Sequence, residues 1–297
     1  MFKTKIPAST ANLGAGFDTL GIALNLYNEI IIERSDKTVI ETYPRNPKFE
    51  NPEKNLFYVV LKETLEFLGK KDENFYIKQY NNIPISRGLG SSAAVIVGGI
   101  ITAFHIAKRE LTDELFFKLA YKYENHPDNL IPAWKGGFIV STKTEEATYY
   151  NKLDFPEELS FVAIVPELEL STEDARRVLP KEVPLKDAVF NIQRVALFLS
   201  ALQLGKYELL KVAMEDRLHQ PYRKQLIPGF DDVISSAYDK GALGVSLSGA
   251  GSTIIAIARD NLDEIGKAMK DAFSKQGVKS DYKILKTDKD GAKVEEI

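Results

Sequence analysis

The chain has 297 residues, 44% of them hydrophobic and 27% charged. That is the balance of a globular protein able to bury a large core and, at roughly 150 residues per domain, to form two domains. Its 39 Lys+Arg against 42 Asp+Glu leave a net charge of −3, which excludes general nucleic-acid binding because a phosphate backbone needs a basic surface. The absence of cysteine excludes disulfides, cysteine nucleophiles and cysteine-based metal sites.

The segment from Met1 to Pro7 lacks the long apolar stretch of a secretory signal, and the longest nearly apolar run, Ala93 to Phe104, is too short to span a bilayer. A cytoplasmic location with no membrane partner is expected. In chain order, Glu29 to Glu33 and Thr38 to Tyr43 read as strands. Asn55 to Gly69 reads as a helix, because Phe57, Val60, Leu61, Leu65 and Leu68 fall on one helical face. Phe75 to Tyr80 returns to strand character. Ser91 to Ala107 is apolar almost all round, which predicts a buried helix. Thr112 is a plausible N-cap for a helix running to about Tyr123. A short strand follows at Phe138 to Ser141. The polar, acidic stretch from Lys143 to Glu158 is the best domain boundary, giving domains 1–155 and 156–297. In the second half, Phe161 to Val165 predicts a strand. Helices are expected at Leu185 to Leu204, Tyr207 to Leu218, Asp231 to Lys240 and Leu262 to Phe273. Leu243 to Leu247, Thr253 to Ala258 and Tyr282 to Lys286 predict strands. Both halves mix the two element types, so the class is α+β.

Three glycine-rich turns stand out: Asn12 to Asp18, Gly88 to Ser92 and Ser248 to Ser252. In the second, glycines precede the buried helix. They permit positive φ and close ligand approach, and the helix start offers unpaired N–H groups and the positive dipole end. That combination suits phosphate. Two serine hydroxyls at the same point add donors or a magnesium ligand. The turn is not a Walker A loop, since no G-x-x-x-x-G-K-[ST] occurs. Nor is it a Rossmann fingerprint, since about 20 residues on come Lys108 and Arg109 rather than a ribose-binding acid.

Together the three turns resemble the GHMP kinases. The string Pro84-Ile85-Ser86-Arg87-Gly88-Leu89-Gly90-Ser91-Ser92-Ala93-Ala94 matches that family's central P-x-x-x-G-L-G-S-S-A-A motif at every fixed position. Leu247 to Thr253 is similar to its third motif, with Ala250 where many members carry Ser. Four further strings resemble the homoserine kinases within it: Ser9 to Asp18, Glu124 to Asn129, Ser171 to Pro180, and His219 to Arg223 leading to Leu226 to Gly229. Asn125 departs from the glycine common at this spacing. The resemblance covers residues 3–258.

It implies a two-domain α+β fold, an N-terminal domain like ribosomal protein S5 domain 2 and a ferredoxin-like C-terminal domain, with the active site between them. The implied reaction is ATP plus L-homoserine giving ADP and O-phospho-L-homoserine, towards threonine. A kinase for another small alcohol, mevalonate or shikimate, and a non-catalytic binder on the same scaffold are the alternatives. By the resemblance, Pro84 to Ala94 hold the ATP phosphates, Asn55 contacts the base, and Ser92 and Glu124 hold Mg2+. Asn12, Asp18, His126, Arg176 and Arg223 bind homoserine. The arginines suit its carboxylate, because a planar guanidinium donates two hydrogen bonds at once. Asn129 and Thr172 stand near the transferred group, and Asp128 occupies the position of a candidate base. His219 lies in a family string, where a structural hydrogen bond is expected. A homodimer is implied as well.

Overall fold

The computed structural model describes residues 1–71 and 73–297. The N-terminal part begins with β1 (Phe2–Ala11), β2 (Leu20–Arg34) and β3 (Val39–Tyr43). A short α1 (Pro47–Glu50), the amphipathic α2 (Leu56–Phe67) and β4 (Phe75–Tyr80) follow. The buried α3 (Ser91–Ala107), then α4 (Asp113–Ala120), α5 (Pro127–Lys135), β5 (Phe138–Lys143) and β6 (Thr148–Leu153) complete it. The second part runs through β7 (Ser160–Pro166), α6 (Thr172–Arg177), α7 (Leu185–Gln203), α8 (Leu210–Ala213), α9 (Gln220–Arg223) and α10 (Phe230–Asp239). It ends with β8 (Gly244–Leu247), β9 (Ile254–Ala258), α11 (Leu262–Lys275), β10 (Ser280–Leu285) and β11 (Lys293–Glu296).

Two sheets organise the molecule. The seven-stranded sheet has the order β11-β1-β2-β4-β3, with the β5–β6 hairpin joined to β2 beside the end of β4. All its pairings are antiparallel except β3 with β4. The four-stranded antiparallel sheet has the order β10-β7-β9-β8. One core lies between the first sheet and α2, α3 and α5, filled by residues such as Phe57, Ile96, Ile100 and Leu130. The other holds α10 and α11 against the second sheet through Val233, Ile265, Met269 and Phe273. The helical face expected for α2 is the face that is buried, and α3, expected to be a buried helix, is buried over most of its length.

Two sequence expectations are corrected, and two further elements, β1 and α5, are not among those expected; in each case tertiary partners outweigh local pattern. In β1, Pro7 sits at a register shift between β1 and β2, where the lost ladder donor is tolerated. α5 carries two prolines. Pro127 occupies the first turn, where its missing N–H costs nothing. Pro132 leaves the Asp128 carbonyl without its helical donor, and that carbonyl packs on Gly21 of β2 so tightly that a Cβ there would lie 1.8 Å from the oxygen. The stretch 143–158 is not all linker, because it contains β6, a largely exposed edge strand paired with β5. The helix expected over 207–218 stops at Ala213. Beyond it, the Asp216 carboxylate accepts the N–H groups of Leu218, His219 and Gln220 at 2.8, 3.0 and 2.6 Å, which turns the chain into α9.

Candidate active site

The three glycine turns meet where the two sheets face each other. The backbone of the first reaches the third through Gly249 N–H to Ala11 O at 3.1 Å, and Asn12 Nδ2 donates to Gly249 O at 2.9 Å. The second turn is bound to the third by Ser248 Oγ donating to Gly88 O at 2.6 Å and by Thr253 N–H to Arg87 O at 3.0 Å. It is bound to β1 by Ser9 N–H to Leu89 O at 3.2 Å. The fit requires glycine. Gly90 has φ +68°, and a Cβ on it would lie 2.0 Å from Ser9 Oγ; at Gly88, φ +78°, a Cβ would lie 2.1 Å from Ser248 O.

Gly90 also caps α3 without a side chain, so the first N–H groups of a 17-residue helix are left for a ligand. They open on a cleft of about 390 Å³, within the range of small-molecule sites. Of the expected nucleotide residues, Asn55, Ile85, Ser86, Arg87, Gly88, Gly90, Ser91, Ser92 and Ala93 line it, as do Glu124, Asn129 and Thr172. Pro84, Leu89 and Ala94 do not; Leu89 and Ala94 are fully buried and anchor the loop from below. Asn129 Oδ1 accepts from Ser9 Oγ at 2.9 Å. Glu124 pairs with the Nδ1 of His126 and accepts the His126 N–H at 3.2 Å. Asn55 caps α2 through Oδ1 to Tyr58 N–H at 3.1 Å, and its Nδ2 donates to Phe49 O and Gln79 Oε1 at 2.7 and 2.9 Å.

Beyond the loop lies a dense group of charges. Arg176 donates to Asp18 Oδ1 at 2.7 Å, while its buried Nε has no partner. Arg223 is 1% exposed. Its Nε donates to Ala175 O at 3.0 Å and its Nη1 to Gly249 O at 3.1 Å. Both guanidinium carbons lie over the ring of Phe17, at 5.4 and 5.2 Å. Burial, with Arg176 nearby, lowers the Arg223 pKa to about 10, so it stays charged at neutral pH. Asn12 is turned inward, its Oδ1 accepting the Asp18 N–H at 3.0 Å, and so holds the turn that presents Asp18. Asp128 is buried beside these groups. Burial first, then the charge of Asp18, pushes its pKa up to about 7. Its Oδ1 has no partner.

Residues 55–137 match the family model described as GHMP kinases N terminal domain, and residues 198–275 match GHMP kinases C terminal. The homoserine kinase of Persephonella marina is 60% identical over 99% of this chain and 98% of its own length. That of Aquifex aeolicus is 45% identical over 99% of both. The chain belongs to the homoserine kinases of the GHMP kinase family. The crystal structure of homoserine kinase from Cytophaga hutchinsonii superposes on it with a TM-score of 0.87 at 32% identity, over 99% of this chain and 97% of that one. The α+β class and the GHMP kinase fold expected from sequence are those observed.

For a homoserine kinase the sequence reading left several residues unassigned. Lys48, Phe49, Gln79 and Asn81 line the cleft beside Asn55. Nothing in an isolated strand end such as Gln79 announces this, although its nearness to the cap of α2 follows once β4 and α2 are placed. Leu170 lines the cleft as well. Gly249, Ala250 and Gly251 also do so, and their place in a recognised motif was the available signal.

Proposed function

We infer that this homoserine kinase transfers the γ-phosphoryl group of ATP to the side-chain hydroxyl of L-homoserine, giving ADP and O-phospho-L-homoserine in threonine biosynthesis. The observation that carries the reading is the junction of an uncapped helix N-terminus with a pair of arginines stacked on Phe17, at the meeting point of three turns. The first suits phosphates and the second suits a carboxylate.

In this assignment the loop Pro84 to Ala94 holds the phosphates. The second lone pair of Asn55 Oδ1 is available to the adenine amino group. Ser92 and Glu124 line one cleft with hydroxyl and carboxylate oxygens, the hard donors that Mg2+ takes together with phosphate oxygens and water. When bound, the cation neutralises charge on the phosphates. Arg176 and Arg223 take the homoserine carboxylate, and Asp18 takes the ammonium. Asn12 holds Asp18 in place, and His126 stands at the same end. Asn129 and Thr172 orient the hydroxyl and the transferred group. The hydroxyl oxygen bonds to the γ-phosphorus as the bond to the bridging oxygen of ADP breaks. The hydroxyl proton passes either to Asp128, the candidate base, whose Oδ1 has no protein partner, or directly to a phosphoryl oxygen.

We further propose the division into domains 1–155 and 156–297, with β11 returned to the first sheet. We also propose a cytoplasmic homodimer, as the resemblance implies; the exposed apolar residues Leu185, Val189 and Ile192 of α7 support self-association. Coupled ADP release from Mg-ATP, run with L-homoserine, mevalonate, shikimate and buffer, tests the reaction. Turnover with homoserine alone is expected. Turnover with mevalonate or shikimate instead would reassign the acceptor end while leaving the nucleotide end standing.

A further inference from the structure

His219 is fully buried, and each of its ring nitrogens has a partner of fixed polarity. Nε2 stands 2.8 Å from Gly14 O, which can only accept. Nδ1 stands 3.4 Å from Arg223 Nη1, which can only donate. The only ring that satisfies both is neutral and carries its proton on Nε2. Burial acts in the same sense and lowers its pKa. The ring also stacks on Phe17 at 5.0 Å and 19°, the same side chain over whose ring both arginines lie.

The supports of this ring are equally defined. Asp216, with no exposed side-chain surface, accepts the N–H groups that open α9 and stands 3.4 Å from Nε2. Asn191 donates to Asp216 at 2.7 Å and to Ala15 O at 3.1 Å. The first glycine turn is therefore held at two successive carbonyls, Gly14 O by the residue that caps α9 and Ala15 O by α7. Arg223 is consequently held on three sides, by Ala175 O, Gly249 O and His219 Nδ1. Among the described residues, Nη2 is the guanidinium nitrogen left without a protein partner. The simple expectation of a two-pronged grip by Arg223 on one carboxylate therefore does not hold. A carboxylate would instead meet Arg223 through Nη2, with the Arg176 guanidinium sharing the ring of Phe17 beside it.

We propose that His219 is a positioning residue for substrate recognition: as a neutral Nε2–H ring it clamps the Gly14 turn to Arg223 and turns that guanidinium so that Nη2 faces the acceptor's carboxylate. The proposal rests on homoserine as the acceptor. A histidine elsewhere in a buried network serves packing alone, whereas this one links the turn that presents Asp18 to the arginine that meets the other end of the same amino acid.

The test compares L-homoserine with 3-aminopropan-1-ol, the same alcohol without its carboxylate, in wild type, His219→Phe and His219→Gln. Phe keeps the stack on Phe17 and loses both hydrogen bonds. Gln can restore a donor and an acceptor. His219→Phe is expected to raise the homoserine KM on the order of tenfold, the value of one lost hydrogen bond to a charged group. The KM values for ATP and for 3-aminopropan-1-ol should stay within about twofold of wild type, and His219→Gln should recover most of the homoserine loss. Equal losses with both alcohols, or no loss with homoserine, would overturn the proposal. Long-range proton–nitrogen NMR spectra of the wild-type histidines, assigned with His219→Gln, decide the clamp even where His219→Phe does not fold. An Nε2–H neutral ring at pH 7 is expected, and an imidazolium or an Nδ1–H ring would remove it. Wild-type protein inactive with L-homoserine would instead overturn the acceptor assignment, a result distinct from a wrong tautomer.

Discussion

The two ends of the proposed site are built from different materials. The proposed nucleotide end is a backbone site: glycines at positive φ, the start of a helix and a few hydroxyls, with the loop itself anchored by carbonyl contacts. The proposed acceptor end is a side-chain site, in which Asp18, Asp128, Arg176, Arg223 and Asp216 act on one another's charge and Arg176, Arg223 and His219 meet the ring of Phe17. Phosphates are common to every kinase substrate pair, and a dipole with N–H groups reads them at little desolvation cost. A small zwitterion must be told from other alcohols by placed charges, and burying those charges requires partners for each. The difference predicts that the first end fails by shape and the second by charge.

Gly90→Ala tests the shape end and carries the largest expected effect. The added Cβ meets Ser9 Oγ, which in turn holds Asn129, and the left-handed backbone penalises alanine further. Displacing a catalytic loop by about an ångström costs on the order of 100-fold in rate, so kcat/KM for ATP should fall by about that much. A wild-type kcat/KM in this variant would mean that the loop is not shaped by contact with β1.

Asp128→Asn tests the charge end. Burial and Asp18 raise the Asp128 pKa from 3.8 to about 7, so the native state binds its proton more tightly than the unfolded chain does. The stability this contributes is complete below about pH 4 and is lost as pH rises through about 7. Asparagine removes that loss. The Tm of Asp128→Asn relative to wild type should therefore climb between pH 5 and pH 8, by an amount reflecting a few kcal/mol at most. Parallel Tm-against-pH curves for the two proteins would show that Asp128 does not carry the shift.

The same division explains what could be read from the sequence. Backbone requirements leave a linear trace: Gly88, Gly90, Ser91 and Ser92 precede an apolar helix, and that order alone indicated phosphate. The face of α2 was legible because periodicity records burial, and α3 because a run that long and apolar on all sides marks a buried helix. β1 and α5 were not, because Pro7, Pro127 and Pro132 are tolerated only through a bulge, a helix start and a fit against Gly21. The acceptor end leaves no local trace. Asp18, Arg176 and Arg223 lie far apart in the chain, so only resemblance grouped them. Their supports, Asp216 and Asn191, were invisible because the carboxylate that ends one helix and starts another acts through folded neighbours.

Asn55 belongs to both descriptions and gives the smallest and most discriminating test. It caps α2, and it joins Phe49, Gln79 and, through Gln79 Nε2 to Asn81 Oδ1 at 2.9 Å, the wall of the cleft. Serine caps a helix about as well as asparagine but cannot span to Phe49 and Gln79. Asn55→Ser should therefore retain the cap and lose the amide bridge, with a stability cost of about 1 kcal/mol for the unmet buried partners. If Asn55 also meets adenine, the ATP KM should rise a further few-fold while the homoserine KM stays unchanged, the separation expected of two ends built independently. A Tm loss with an unaltered ATP KM would confine Asn55 to the architecture of α2 and move base recognition to its neighbours on the cleft wall, Lys48, Gln79 and Asn81.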